Sequence, residues 1–152
     1  MLTLRPIQPA DLPSVAQLRA QTKGKESFWV DRIGRYLRGE HSPQDALADR
    51  SAFVAVDEEK IVGFVAGHNT RRLNCDGELQ WLDVDQDQRR RGIGVKLLAQ
   101  IGDWFVAENL TRICVNVDPD DLPAQKLYAK YGAESLNEHW MIWADSHRMT
   151  QL

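Results

Sequence analysis

Long apolar runs are missing from this chain: none approaches the roughly 20 residues that a membrane-spanning helix needs, and the N-terminus lacks the features of a secretory signal. Cysteine is scarce too. Cys75 and Cys114 have no partner pair or nearby histidine at metal-ligand spacing, which favours reduced thiols and no metal site. With a net charge of -3, the chain also lacks the basic face of a nucleic-acid binder. We therefore expect a cytoplasmic protein that binds neither membranes nor nucleic acid.

The length and composition predict one domain. The 152 residues are 43% hydrophobic and 27% charged, which is enough apolar sequence for a single buried core under a charged surface. No internal repeat, low-complexity tract or linker rich in Pro, Gly or Ser interrupts the chain. We place a single domain over residues 1–152.

Hydrophobic periodicity predicts a mixed α/β order. The predicted strands cover residues 3–7, 52–56, 61–66, 78–84, 113–117 and 140–144, and the predicted helices begin after Asp11 and cover 28–38, 92–108 and 123–131. The polar segment 57–60 separates two strands in the manner of an antiparallel hairpin. The helix at 92–108 connects two strands as a crossover, so those strands should be parallel neighbours.

A further short helix is expected between the second predicted helix and the hairpin. Ser42 is placed to cap it, Pro43 fits its first helical position, and Asp45 would complement the helix dipole. We predict that this helix ends near Arg50.

The segment 84–94, with the sequence VDQDQRRRGIG, joins the end of a predicted strand to the start of the predicted helix 92–108. Free N–H groups of a first helical turn and the helix dipole attract anions there, and Gly92 and Gly94 let a phosphate approach the backbone. A P-loop is excluded because no Gly-Lys-Ser/Thr follows. A dinucleotide fingerprint is excluded because Leu97 stands where a third glycine is needed. The pattern therefore favours a different pyrophosphate site.

Arg89-Arg90-Arg91-Gly92-Ile93-Gly94, followed by Leu97-Leu98, resembles the Arg/Gln-x-x-Gly-x-Gly/Ala loop of the GNAT N-acetyltransferase superfamily. Residues 124–132, AQKLYAKYG, resemble the later Ala-x-x-Leu-Tyr-x-Lys-x-Gly helix of that family, and the element order agrees over nearly the whole chain. Gln86 replaces a frequent proline and Ala133 a frequent phenylalanine. The resemblance implies the GNAT acyl-CoA N-acyltransferase fold: a mixed central sheet of about six to seven strands flanked by helices, with a splayed parallel pair at the coenzyme A site.

The same resemblance implies acetyl-coenzyme A as a cosubstrate. It assigns Leu82 and Val84, at the end of the strand 78–84, to the pantetheine arm of the cofactor. The resemblance also implies that five loop positions face the cofactor phosphates: Arg89, Arg90, Gly92, Gly94 and Val95.

Acetyl transfer to an amine needs both a base and an acid. A lysine-like amine has a pKa of roughly 10.4 and must lose a proton before attack, and the thiolate leaving group is better expelled with a proton. By resemblance, Glu78 is the base, directly or through water, and Tyr128 is the acid. On a regular strand Glu78 would share a face with Gln80, Leu82 and Val84. The alternatives are a solvated strand-edge Glu78 and a Tyr128 that only packs its helix.

These features together predict an N-acetyltransferase that moves an acetyl group to a primary amine of a small molecule, peptide or protein within a ternary complex. The alternative is a noncatalytic acyl-coenzyme A sensor or interaction module. Acceptor choice is expected to depend on residues 20–50 and on the last strands, with Trp29 and Trp81 near the acceptor cleft. No motif in these regions names the acceptor. A homodimer is compatible with the sequence.

Overall fold

A computed structural model describes residues 1–151, which form a seven-stranded mixed sheet and four α-helices. The strands are β1 Leu2–Pro6, β2 Ala46–Asp57, β3 Lys60–Thr70, β4 Gly77–Val84, β5 Ile113–Asn116, β6 Glu134–Ser135 and β7 Trp140–Trp143. The helices are α1 Leu12–Ala20, α2 Glu26–Leu37, α3 Ile93–Ala107 and α4 Leu122–Lys130. The sheet order is β1-β2-β3-β4-β5-β7-β6, in which β4 and β5 run parallel and the other neighbours antiparallel. The predicted mixed sheet and its parallel pair are confirmed.

The β2–β3 hairpin is longer than the sequence predicted, but its turn is in the predicted place. Val56 pairs with Ile61 and Asp57 with Lys60, so Glu58 and Glu59 alone form the loop. Both glutamates have positive φ angles, 51° and 65°. Two left-handed residues in succession give the type I′ geometry that matches the twist of a two-residue hairpin.

The predicted short helix after Ser42 is wrong, because β2 begins at Ala46 and pairs with Thr70 of β3. Asp45, which was expected in a first helical turn, has a φ angle of 61°, outside the right-handed helical region. The guanidinium of Arg50 donates to the Ser42 hydroxyl at 2.7 Å, so this hydroxyl caps no helix. Sheet pairing with β3, the other strand of the hairpin, therefore overrides the local helix signals.

The sheet separates two apolar cores. Helix α3 buries one of its faces completely against one side of the sheet, through Leu97, Leu98, Ile101 and Phe105. Helices α1 and α2 cover the other side, where Val15, Ile33, Tyr36, Phe64 and Trp81 are buried. No helix within residues 1–151 has both the length and the hydropathy to cross a membrane.

Strand β4 carries an extra residue at Gln80. Ala66 of β3 pairs with Trp81, and the next residue, Gly67, pairs with Leu79, so Gln80 has no partner in β3. Such a β-bulge changes the alternation of side chains along a strand. Leu79 faces the α3 core before the bulge and Leu82 faces it afterwards, whereas Trp81 faces α1 and α2.

The largest stability loss is expected from truncating a side chain at the centre of the α3 core. Leu98 is fully buried, so Leu98→Ala should lower the free energy of unfolding by about 2–5 kcal/mol through lost contacts and a residual cavity. Leu136 is 47% exposed, and Leu136→Ala should change it by less than about 0.5 kcal/mol. Urea denaturation of both variants measures the difference. Equal losses would show that α3 does not form the core described.

Candidate functional site

The N-terminus of α3 forms a backbone cradle. Gly92 precedes the helix with a φ angle of 75°, and Arg90, two residues earlier, has a φ angle of 71°. Left-handed residues near a helix start turn successive N–H groups towards one point, the nest arrangement that binds anions. A left-handed arginine is strained, and such strain is typical of functional loops. A Cβ on Gly92 would meet no atom within 4 Å, so the space above the cradle is open.

The three arginines of the loop have different surroundings. Arg91 donates to Asp57 Oδ2 at 2.8 Å and to Gln88, which ties it to the end of β2. Arg89 and Arg90 are exposed and form no ion pair with another residue of 1–151. Two arginines are therefore free to meet an anion at the cradle, whereas the third holds the loop in place.

The start of the loop is held by Asp85. Its carboxylate accepts the N–H of Asp87 at 3.0 Å and lies 3.3 Å from the ammonium of Lys60. The Asp87 N–H, supported by Lys60, lowers the pKa of Asp85. The charged carboxylate thus fixes the turn between β4 and the cradle.

The second glycine of the loop brings α3 against β4 and α4. A Cβ on Gly94 would lie 3.5 Å from Leu127 of α4, 3.8 Å from Val84 and 3.9 Å from Leu82. The structure therefore brings together Leu82, Val84 and Gly94, three of the residues predicted from sequence, beside the helix that carries Tyr128.

Strand β4 has an open edge next to the cradle. Its parallel pairing with β5 covers only Gly77 to Leu79, opposite Ile113 to Val115. From Gln80 to Val84 the side towards β5 has no strand partner, while β3 still pairs on the other side. Free backbone N–H and C=O groups on a strand edge can pair with an extended amide ligand.

Glu78 is buried instead of solvated at a strand edge, with 3% of its surface exposed. Arg72 donates to its Oε2 at 3.4 Å. Its Oε1 lies 3.5 Å from Nε2 of His68, but neither atom has a hydrogen-bond partner within residues 1–151. Nδ1 of His68 lies 2.8 Å from the Tyr36 hydroxyl. The Glu78 carboxylate therefore keeps one oxygen available to accept a proton.

The bulge changes the face on which Glu78 lies. A regular strand would place Glu78 on the same face as Leu82 and Val84, but β4 is not regular, and those two side chains pack towards α3. Glu78 contacts His68 and lies on the α1 and α2 side, with Trp81 and Asp83. The extra residue Gln80 causes the exchange.

Tyr128 is 6% exposed and its ring packs edge-on against Trp143, with 5.3 Å between centroids. Burial raises its pKa, and the carboxylates of Asp83 and Asp121 raise it further. The hydroxyl therefore remains protonated at neutral pH, which is the form that a proton donor needs. Tyr128 belongs to the apolar cluster against which Leu82 and Val84 of β4 pack.

Asp83 and Arg19 form a largely buried pair that the sequence did not reveal. Nη1 of Arg19 lies 2.9 Å from Oδ1 of Asp83, and their side chains are only 17% and 10% exposed. Burial raises the pKa of Asp83, while Arg19 opposes the shift. The guanidinium of Arg19 packs over Trp29 at 4.6 Å. The available signal was an aspartate between two apolar residues of a buried strand, Leu82 and Val84.

No group of three or more His, Cys, Asp or Glu side chains within residues 1–151 is arranged to hold a metal ion. A cavity of about 570 Å³ lies beside α1 and the β2–β3 turn, lined by Ser14, Gln17, Glu59 and Asp87 among others. It includes none of the predicted site residues. The backbone cradle and the open β4 edge therefore define the candidate site better than this cavity does.

Solved structures with the same fold include acetyltransferases. The PaiA N-acetyltransferase of Thermoplasma acidophilum, in complex with coenzyme A, matches with a TM-score of 0.69 and 13% identity over 94% of this chain and 98% of that chain. An acetyltransferase of the GNAT family from Staphylococcus aureus Mu50 matches with a TM-score of 0.73 and 15% identity over 94% of this chain and 98% of that chain. The ribosomal-protein-S18-alanine N-acetyltransferase of Escherichia coli matches with a TM-score of 0.70 and 16% identity over 94% of this chain and 93% of that chain. No curated protein sequence matches.

A family model provides the sequence-level comparison. The model of the acetyltransferase (GNAT) family matches residues 21–133, from the end of α1 to the end of the turn after α4. This range contains the cradle, the open edge of β4 and Tyr128. The chain therefore belongs to the GNAT acetyltransferase family.

Proposed function

We propose that this protein is an N-acetyltransferase that uses acetyl-coenzyme A and acetylates a primary amine. One observation carries the proposal: the anion cradle before α3 adjoins the strand edge that is open from Gln80 to Val84. Coenzyme A combines a pyrophosphate with an amide-rich arm, so one molecule can use both features.

The residues present fit this cosubstrate. The N–H groups of Gly92, Gly94 and Val95 would hold the pyrophosphate, with Arg89 and Arg90 supplying positive charge. The backbone at Leu82 and Val84 would pair with the pantetheine arm. The Thermoplasma acidophilum relative was crystallised with coenzyme A, which supports the same use of this fold here.

The proposed chemistry assigns one proton transfer to each of two side chains. Bound acetyl-coenzyme A supplies the acetyl group as a thioester. Glu78 takes a proton from the acceptor ammonium, directly or through water, and the freed nitrogen lone pair forms the C–N bond. The C–S bond breaks with its electron pair going to sulfur, and Tyr128 donates a proton to it. The nitrogen then passes its second proton to Tyr128, which restores the tyrosine hydroxyl, and Glu78 releases its proton to solvent. The products are an amide, the free thiol and one proton.

The cradle can be tested by a double variant, Arg89→Ala with Gly92→Glu. A side chain at a φ angle of 75° is strained, and a carboxylate there repels phosphate, so binding of acetyl-coenzyme A should fall by at least about a hundredfold in calorimetric titration.

Arg35→Ala with Gly39→Glu is a matched control for this double variant. Gly39 has a φ angle of 76° and open space around it, and Arg35 is exposed. The control makes the same charge change and should bind normally. No binding by folded wild-type protein would refute the proposed function, whereas tight binding without thiol release over a broad amine panel would favour a noncatalytic sensor.

Removing the proposed acid should affect turnover and leave cosubstrate binding unchanged. Tyr128→Phe keeps the ring that packs on Trp143 but lacks the hydroxyl, so kcat should fall about a hundredfold or more with unchanged affinity for acetyl-coenzyme A. Tyr131→Phe, one turn away on the same segment, is the control and should keep wild-type kcat. A normal rate in Tyr128→Phe would remove Tyr128 from the mechanism.

The proposed base can be tested by a nearly isosteric change. Glu78→Gln preserves the volume beside His68 but removes the carboxylate, so kcat at neutral pH should fall about a hundredfold or more. The exposed Glu108→Gln serves as the control. Initial rates of thiol release give the activity of both variants. If amines that are already neutral at the assay pH are acetylated just as slowly by Glu78→Gln, its role is structural and not that of a base.

A further inference from the structure

Three polar side chains form a line through the apolar core between the sheet and helix α2. Tyr36 comes from α2, His68 from β3 and Glu78 from β4. Tyr36 and His68 are fully buried, and Glu78 is 3% exposed. His68 and Glu78 are direct partners in the β3–β4 register, so their side chains lie on the same face of the sheet. Burying three polar groups together is costly, so the bonds between them decide what this line contributes.

The contact between Tyr36 and His68 determines which nitrogen of the imidazole carries the proton. The Tyr36 hydroxyl lies 2.8 Å from Nδ1 of His68 and has no other hydrogen-bond partner within residues 1–151. If Nδ1 donated, the hydroxyl proton would be buried without an acceptor, so the hydroxyl donates and Nδ1 accepts. Burial raises the pKa of Tyr36, which keeps this proton on the phenol. In a neutral imidazole the ring proton then belongs to Nε2.

The contact between His68 and Glu78 joins this Nε2 to the proposed base. The distance from Nε2 to Oε1 is 3.5 Å, and an approach of about half an ångström would make an ordinary N–H···O bond. Hydrogen bonds of catalytic groups are often long in free enzymes and shorten in the substrate complex. The opposite tautomer would set a nitrogen lone pair against the carboxylate, which is repulsive in a buried site. Glu78 and Tyr36 therefore favour the same tautomer of His68.

The second oxygen of Glu78 has a different neighbour. Arg72 donates to Oε2 at 3.4 Å, and its guanidinium packs over the ring of Trp140 at 4.8 Å. Arg72 and His68 thus contact different oxygens, and together they fix the plane of the carboxylate. Oε1 has two lone pairs, so it can accept from His68 with one and take the proton of the acceptor amine with the other. A neutral donor lowers the basicity of a carboxylate less than a second cation would.

We propose that His68, held by Tyr36, is a positioning residue for Glu78: its Nε2–H group directs Oε1 of the carboxylate towards the acceptor amine. His68 neither gains nor loses a proton in the reaction, so the transfers assigned to Glu78 and Tyr128 are unchanged. This inference rests on the proposed N-acetyltransferase function and adds the residues that orient its base. A base that is oriented by a third group is a recurring arrangement in catalytic sites.

The tautomer of His68 can be measured without any acceptor. In proton–nitrogen NMR correlation spectra of the full chain, a ring nitrogen that carries a proton is separated from one that does not. The spectrum of His68→Gln identifies the signals of His68 among those of the four histidines. We expect a proton on Nε2 and none on Nδ1. A proton on Nδ1 in the wild type would overturn the inference.

The role of Tyr36 is tested in the same spectra. Tyr36→Phe removes the hydroxyl but keeps the ring that packs against Trp81, with 4.9 Å between centroids. The preference of His68 for a proton on Nε2 should weaken in this variant, because Nδ1 loses its donor. An unchanged tautomer in folded Tyr36→Phe would overturn the role of Tyr36.

Two amide variants test where the donor has to be. Gln at position 68 is long enough to present an N–H group near the place of Nε2, whereas Asn reaches only the place of Nδ1. With ethylamine, which is an ammonium ion at neutral pH, kcat should fall roughly tenfold or more in His68→Asn and by less than about threefold in His68→Gln. KM for acetyl-coenzyme A should not change in either variant. The exposed His147→Asn is the control and should keep the wild-type kcat.

A second acceptor separates positioning from a structural role. Trifluoroethylamine has nearly the shape of ethylamine, but its fluorines withdraw electrons and leave it largely neutral at the same pH. It needs no base before attack, so His68→Asn should acetylate it at close to the wild-type rate. An equal loss with both amines would show that His68 only supports the fold. Circular dichroism establishes folding, and if His68→Asn is not folded, Tyr36→Phe takes its place in the comparison of the two amines.

Failure of this inference is distinguishable from failure of the proposed function. An unchanged kcat for ethylamine in folded His68→Asn would overturn the role of His68 while the N-acetyltransferase function stands. Thiol release with no primary amine would overturn the proposed function, and the role of His68 in it. If the wild type acetylates only larger amines than ethylamine, the tautomer measurement decides alone.

Discussion

Strands β4 and β5 are locked together at one end and separate at the other, and the candidate site depends on this separation. Oδ2 of Asp76 accepts the N–H groups of Thr111 and Arg112 at 3.1 Å and 2.9 Å, and the Arg112 carbonyl accepts the N–H of Asp76 at 2.7 Å. These bonds fix the register in which Gly77 to Leu79 pair with β5. Beyond Leu79 the strands diverge, and the free edge of β4 leads directly to the cradle before α3. A pair that remained closed would leave no backbone for an extended ligand.

The bulge at Gln80 gives the site its electrostatic character. It places Glu78, Trp81 and Asp83 on one face of β4 and leaves Leu79, Leu82 and Val84 to pack under α3. A regular strand would have put Glu78 in the apolar core, where an ionised carboxylate is very costly. With the bulge, both carboxylates lie on the side that receives α1 and α2, and each has an arginine partner. β-Bulges commonly redirect side chains in this way beside active sites.

The site contains polar atoms that do not contribute to stability. Glu78 Oε1, His68 Nε2, Asp83 Oδ2 and Arg19 Nε are buried without hydrogen-bond partners in residues 1–151, and each costs free energy of folding. The two apolar cores on either side of the sheet offset this cost. Departures from local rules are expected where a protein binds its ligands. Five of the six unpaired buried side-chain atoms within residues 1–151 lie on α1, β3 and β4, and the sixth, Nε of Arg50, lies on β2.

The sequence by itself determined the order of most elements and the glycine-containing turn before α3, because helical periodicity, the hairpin turn and Gly92 are local features. It also marked Leu82, Val84, Gly94 and Tyr128, which the fold brings close together. Tertiary structure decided the rest. Residues after Ser42 form a strand because β3 offers pairing that a short helix cannot match, and Glu78 changes face because of one unpaired residue in β4. Arg19 and Asp83 meet across 64 positions of the chain. Such contacts depend on how the sheet and helices pack, which no local pattern records.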